Sequence, residues 1–206
     1  MRDKLSSALR ASAKGSGWTA RRDLLTRRVD NSVLAIHPRR GAPDIFEFRA
    51  KPLAWDDLLW STLQIDGNEK LPASFRFTGA FTCDTPALDH MDFVRTSSPE
   101  ALASQMLSFA RNCHGKPALW KDYDLNDVIA AEPRHEPYRY HQTCVLDRIC
   151  AGGRQAAQMI CSDVLAGALD CRITLSAIDK QMPLDATGRR PSLNFFELAK
   201  IWLSRN

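Results

Sequence analysis

Apolar and polar residues alternate with a period of two in two places along the chain. Between Ile45 and Ala50, Phe46 and Phe48 alternate with Glu47 and Arg49, which predicts a strand with one oily side and one charged side. Phe75, Phe77, Gly79 and Phe81 alternate with Arg76, Thr78, Ala80 and Thr82 in the same manner. Ser32 to His37 is a short apolar run of strand length, and Leu24 to Val29 is a weaker candidate. Asp30-Asn31 and the segment from Pro38 to Pro43 supply turn chemistry between these runs. Together they predict a four-stranded, mainly antiparallel sheet with one face buried.

The period changes to helical elsewhere. Leu5, Ala8, Leu9 and Ser12 share a face over residues 2–13, with Gly15 and Gly17 ending the element and Trp18 opening a β-like stretch. Trp55, Leu58, Leu59, Thr62 and Leu63 mark a helix that interrupts the sheet, just after Pro52. Ser98-Pro99-Glu100 is a start signal for a long helix whose stripe is Leu102, Met106, Phe109, Ala110 and Cys113. Val145, Leu146, Ile149 and Cys150, then Gly152-Gly153, then Ala157, Ile160, Cys161, Val164, Leu165 and Ala168 predict a helical hairpin. Asn194 with Glu197 three residues on predicts a capped last helix carrying Ala199, Trp202 and Leu203. The polar stretch from Asp179 to Pro191 reads as an exposed loop. The expectation is one α+β domain over residues 1–206, with a sheet-rich half (1–96) and a helical half (97–206) packed onto one sheet face.

Composition narrows the class. Hydrophobic residues make up 44% and charged residues 25%, which is globular usage and argues against disorder. No apolar run approaches the roughly 18 residues needed to span a bilayer, and no apolar signal segment follows Met1, so a cytoplasmic location without a membrane partner is expected. The six cysteines lack the short spacing of a zinc knuckle and read as small buried hydrophobes. No metal or cofactor is expected. The net charge of +4 is uneven: residues 1–51 carry twelve Lys/Arg and five Asp/Glu. A basic first quarter fits either a solvated face or an acidic partner.

Nucleotide loops, zinc-protease helices and nucleophile elbows are missing from the sequence. The densest polar cluster runs from Glu132 to His141; a functional reading makes His135 or His141 a general base beside Glu136. A structural reading makes it a proline-punctuated loop, and that reading is preferred. Cys113-His114 closes a helix at the negative end of its dipole, which raises a thiol's pKa and makes a poor dyad. Trp60 lies off its helix's apolar stripe, as a pocket or interface wall or as packing under a loop. Arg76, placed on a strand, would bind an anion or pair with Glu47. Arg39 and Arg40 join Arg21, Arg22, Arg27 and Arg28 as a candidate nucleic-acid contact, provided they share one face.

The segment from Lys51 to Trp60, the segment from Pro72 to Phe81 and Gly17-Trp18 after a leading helix resemble a bacterial family of unknown function, number 4304. The resemblance covers mainly residues 1–82. It implies a packing pattern and brings no activity with it. The leading expectation is a non-enzymatic, immunity-like protein that binds another protein; the alternatives are a small hydrolase or transferase using the His/Glu pair, and nucleic-acid binding.

Overall fold

The computed structural model describes residues 2–39, 42–93, 98–132, 136–171, 176–178, 184, 188 and 192–205, with backbone alone for 2, 43, 44 and 176–178. The architecture is α+β, and the chain forms two compact units. Unit 1 comprises Met1–Leu53, Pro72–Gly79 and Thr85–Pro133; unit 2 comprises Ala54–Leu71, Ala80–Asp84 and Arg134–Asn206.

Unit 1 is built on an antiparallel meander of β1 (Thr19–Arg21), β2 (Leu24–Val29), β3 (Ser32–Arg39), β4 (Ala42–Pro52) and β5 (Asp89–Asp92), paired in that order. The three middle strands lie where the sequence predicts them, β4 on its alternation and β3 on its apolar run. Two-residue turns at Arg22-Asp23 and Asp30-Asn31 join the first three strands, and Arg22 and Asp30 take positive φ there. Leu25, Leu34, Ile36, Phe46, Phe48 and Ala50 fill one face. Helix α1 (Arg2–Ala13) lays Leu9 and Ala13 on it, and helix α4 (Pro99–His114) lays Leu102, Met106, Phe109 and Cys113 there. Each large side chain removed from water in this way contributes about 1.5–3 kcal/mol. Helix α4 starts as its sequence demands: Ser98 Oγ accepts from the Ala101 amide at 3.1 Å, with Pro99 behind it. The short helices α5 (Pro117–Trp120) and α6 (Leu125–Ala131) follow, and Trp120 joins the core.

Two expectations fail here. The alternating run at Phe75–Phe81 is not a strand. Residues Phe75–Thr78 form a single helical turn, α3, and the amides of Phe75, Arg76 and Phe77 donate to the carbonyls of Pro72, Ala73 and Ser74. The alternation over Phe75–Thr82 fits a pleat, but the local i→i+3 bonds that begin at the Pro72 carbonyl win over it. The place beside β4 belongs to β5, so the sheet has five strands among the described residues, not four. The second sheet face is also not left to solvent: Val33, Ala35, Glu47 and Lys51 on it are all buried. The unbroken apolar run Val33–Ile36 is the sequence sign of a strand covered on both sides.

Unit 2 contains most of helix α2 (Leu53–Thr62), a 3-10 turn at Asn68–Lys70, helices α7 (His141–Cys150), α8 (Arg154–Leu165) and α9 (Phe195–Arg205), and a two-stranded ribbon of β6 (Ser176–Ile178) with β7 (Ser192–Asn194). The helical hairpin is present as expected: Gly152 takes φ +79° between α7 and α8, and the Gly153 amide donates to Arg148 O at 2.7 Å. Helix α8 then stops at Leu165, short of the expected stripe; Ala168 is exposed and Gly167 takes φ +74°. The start of α9 is a reciprocal cap. Asn194 Oδ1 accepts from the Phe196 and Glu197 amides at 2.9 and 3.1 Å, and Glu197 Oε2 accepts from the Asn194 amide at 2.7 Å. The expected loop from Asp179 to Pro191 lies outside the described residues except Leu184 and Gly188, both exposed.

Candidate functional site

The densest charged cluster of unit 1 lies on the second face of the sheet. Strand alternation places His37 and Arg39 of β3, and Glu47, Arg49 and Lys51 of β4, on this side. The register sets His37 directly across from Glu47, and His90 of β5 across from Glu47 on its other flank. A row His37–Glu47–His90 therefore crosses three strands. Glu47, with its side chain 4% exposed, is held from two directions. Arg39 Nε donates to Oε1 at 2.5 Å, and Arg49 donates to Oε2 from Nη2 at 2.7 Å and Nε at 3.1 Å. Arg49 also donates to the Thr85 carbonyl. Burial opposes the charge on Glu47, but Arg49's charge and the hydrogen bonds from both arginines outweigh it, and the carboxyl sits below its ordinary value. His37 is held below its ordinary value by burial and then by Arg49, although the Pro38 carbonyl, Glu47 and Asp23 pull the other way.

Lys51 is 1% exposed. Its ammonium donates to the Arg76 carbonyl at 2.5 Å and lies 5.0 Å from the Phe77 ring centre. Arg76 sits in α3, not on a strand as the sequence suggested, and its guanidinium donates to the Leu53 carbonyl at 2.9 Å. Glu47 is occupied by Arg39 and Arg49. Glu47 and Arg49 read as a solvated stripe in the sequence; the apolar run Val33–Ile36 of β3, which faces Arg49 and Lys51 on this side, was the signal that the face is covered.

In unit 2, the polar cluster after α6 has His135 outside the described residues. Glu136 meets Arg139 at 3.5 Å, and Arg139 also meets Asp84 at 2.8 Å. Thr143 Oγ1 donates to the Asp84 carbonyl at 2.6 Å. These bonds fasten the start of α7 to the 80–84 segment. His141 is held below its ordinary value by burial, against a backbone hydrogen bond to Asp170 and that residue's charge. A neutral imidazole fixed by a carbonyl is the form a general base takes, but Glu136 is directed to Arg139. Trp60 is 2% exposed, and its indole N–H donates to the Phe81 carbonyl at 2.6 Å, so it packs beneath that segment. Asp56, in the first turn of α2, accepts from the Cys83 amide at 2.7 Å.

The basic residues of the first quarter do not fall on one side. Arg27 and Arg28 are successive strand residues and point to opposite faces of the sheet. Arg27 covers Gly17 on one side, and Arg39 is committed to Glu47 on the other. Arg40 lies outside the described residues. The six cysteines are free thiols; Cys83, Cys113 and Cys161 are buried, Cys144 and Cys171 half-buried, and Cys150 exposed. Burial, followed by the Asp89 carboxylate, pushes the Cys113 thiol up to about 12. His114 stacks on Trp120 with ring centres 6.1 Å apart. Among the described residues no group of three His, Cys, Asp or Glu gathers as metal ligands, and no helix is long and apolar enough to cross a membrane.

Comparison with protein-family models, with curated proteins and with solved structures finds no match to this chain.

Proposed function

We propose that this protein acts by binding another protein through an exposed face of α8. The observation that carries the reading is Met159, which is 60% exposed on that helix. Around it lie Gln155, Ala156, Ser162 and Asp163, an arc with one charge, while Ala157, Cys161 and Val164 turn inward. Leu165, about 120° around the helix from Met159, is a second exposed apolar side chain at 37%. An unbranched, polarisable methionine at the centre of a weakly charged helix face adapts to a partner's contours at little cost. Immunity proteins that neutralise toxins work by presenting a surface in this sense, and the analogy is one of working mode.

The test is capture on the immobilised protein at low and moderate salt, with Met159→Glu as the comparison. A partner retained by the wild type and lost with Met159→Glu, while circular dichroism stays unchanged, supports the reading. Retention of the same partner by both proteins sends the contact elsewhere, and failure to retain any protein at low salt refutes binding as the function.

A further inference from the structure

The tip of the β3–β4 hairpin carries a latch. Between Pro38 and Arg39 the register shifts: Pro38 faces Phe46, yet Arg39 faces Ala42, so extra residues of β4 are accommodated there. Arg39 spans this irregular stretch by donating to Glu47 Oε1 at 2.5 Å. Glu47 is anchored independently at Oε2 by Arg49. His37 stands directly across the ladder from Glu47, where facing side chains on antiparallel strands have Cβ atoms about 4.5–5.5 Å apart. Its Nδ1 lies 2.9 Å from the Pro38 carbonyl. A carbonyl only accepts, so Nδ1 carries the proton and the neutral ring keeps a lone pair on Nε2.

We propose that proton uptake at His37 Nε2 opens this latch: the new N–H takes Glu47 Oε1 from Arg39, and the pairing of Arg39 with Ala42 loosens. The proton comes from solvent, no covalent bond changes, and Arg49 keeps Oε2 throughout. Before protonation Glu47 faces two guanidinium groups; afterwards it faces three cations, and Arg39, with its side chain 21% exposed, is the one able to turn to water. The charged groups around His37 are Glu47 and Arg49 from β4, Asp23 from the β1–β2 turn and Arg39 on its own strand, with His90 of β5 on the far flank of Glu47. Burial and Arg49 keep the ring neutral near neutral pH, so the latch is closed there and opens on acidification.

The experiment is NMR of the full chain from about pH 7.5 to about pH 5, following the imidazole of His37 and the amides of Arg39, Ala42, Ile45 and Glu47. The expected result is that these amides shift with the midpoint of the His37 ring. The shift is lost in His37→Gln and kept in His90→Gln. In Glu47→Gln the tip amides at neutral pH move toward their acidic wild-type positions. The proposal is overturned by tip amides that stay still while His37 titrates, by separated midpoints, or by a shift that survives His37→Gln or vanishes with His90→Gln. Should His37→Gln not fold, the wild-type midpoints decide alone, with coincidence supporting the latch and separation overturning it.

Discussion

Replacing Glu47 by alanine removes the carboxylate that Arg39 and Arg49 share inside the sheet face. Its side chain is 4% exposed, and those of Arg39 and Arg49 are 21% and 11% exposed, so water screens the two cations only partly. Breaking a buried pair by removing one member costs about 3–5 kcal/mol, because the remaining charge has lost its counter-charge. The partial exposure of Arg39 favours the lower end, about 3 kcal/mol. The Lys121–Asp30 pair of the same unit is the internal control: its members are 3.9 Å apart with side chains 58% and 73% exposed, and Lys121→Ala should cost about 0–1 kcal/mol. Urea unfolding at neutral pH, followed through the buried Trp18 and Trp120, measures both. For a chain of this size 1 kcal/mol corresponds to about 2–4 °C in melting temperature, so Glu47→Ala should lose roughly 6–12 °C. The pH dependence gives a second readout. The folded pKa of Glu47 lies below its ordinary value of 4.5, so its stabilisation is complete above that value and is lost as pH falls through the folded pKa. Wild type and Glu47→Ala should therefore converge in acid. A Glu47→Ala cost equal to that of Lys121→Ala would refute the reasoning.

Asn194→Ala should cost about 1 kcal/mol, visible as a lower melting temperature, because the amides of Phe196 and Glu197 lose their acceptor; an unchanged melting temperature would show that the cap is idle. Gly17→Ala should cost about 1–2 kcal/mol in urea, since the backbone holds φ +80° and the added methyl would lie 3.2 Å from Arg27 Nη1; a neutral result would mean the loop relaxes freely. Thiol labelling read by mass spectrometry should modify Cys150 first, although its own thiol is pushed up by burial and nearby acids. Cys113 and Cys161, each pushed up to about 12, should react only on unfolding, and early labelling of either would contradict their burial.

The parts of this fold that can be read from the chain are those whose local pattern and tertiary role agree. Phe46 and Phe48 announce β4, Ser98-Pro99 announces α4, and Asn194 with Glu197 announces α9. Phe75 to Phe81 misleads because the chain closes a helical turn there despite its alternation: the ring of Phe75 lies against Gly79, four residues on, where a Cβ would come within 2.5 Å of it. Strand β5 is illegible for the opposite reason. Its sequence Asp-His-Met-Asp has almost no strand preference, and only pairing with Ile45–Phe48 makes it extended. The charged row on the second face was hidden by the same alternation that revealed β4, since a charged residue every second position reads as solvated until the strand beside it is seen to carry the unbroken apolar run Val33–Ile36.

The division of the chain into units has a consequence for synthesis. Unit 1 draws on three separate stretches, the last ending at Pro133. A nascent chain that has emerged only as far as Pro52 holds the four leading strands but lacks α4, so Phe46 and Phe48 await the cover that arrives some fifty residues later. Until then the meander is a surface for chaperones, and truncation before Pro99 should yield an aggregating fragment instead of a smaller folded protein.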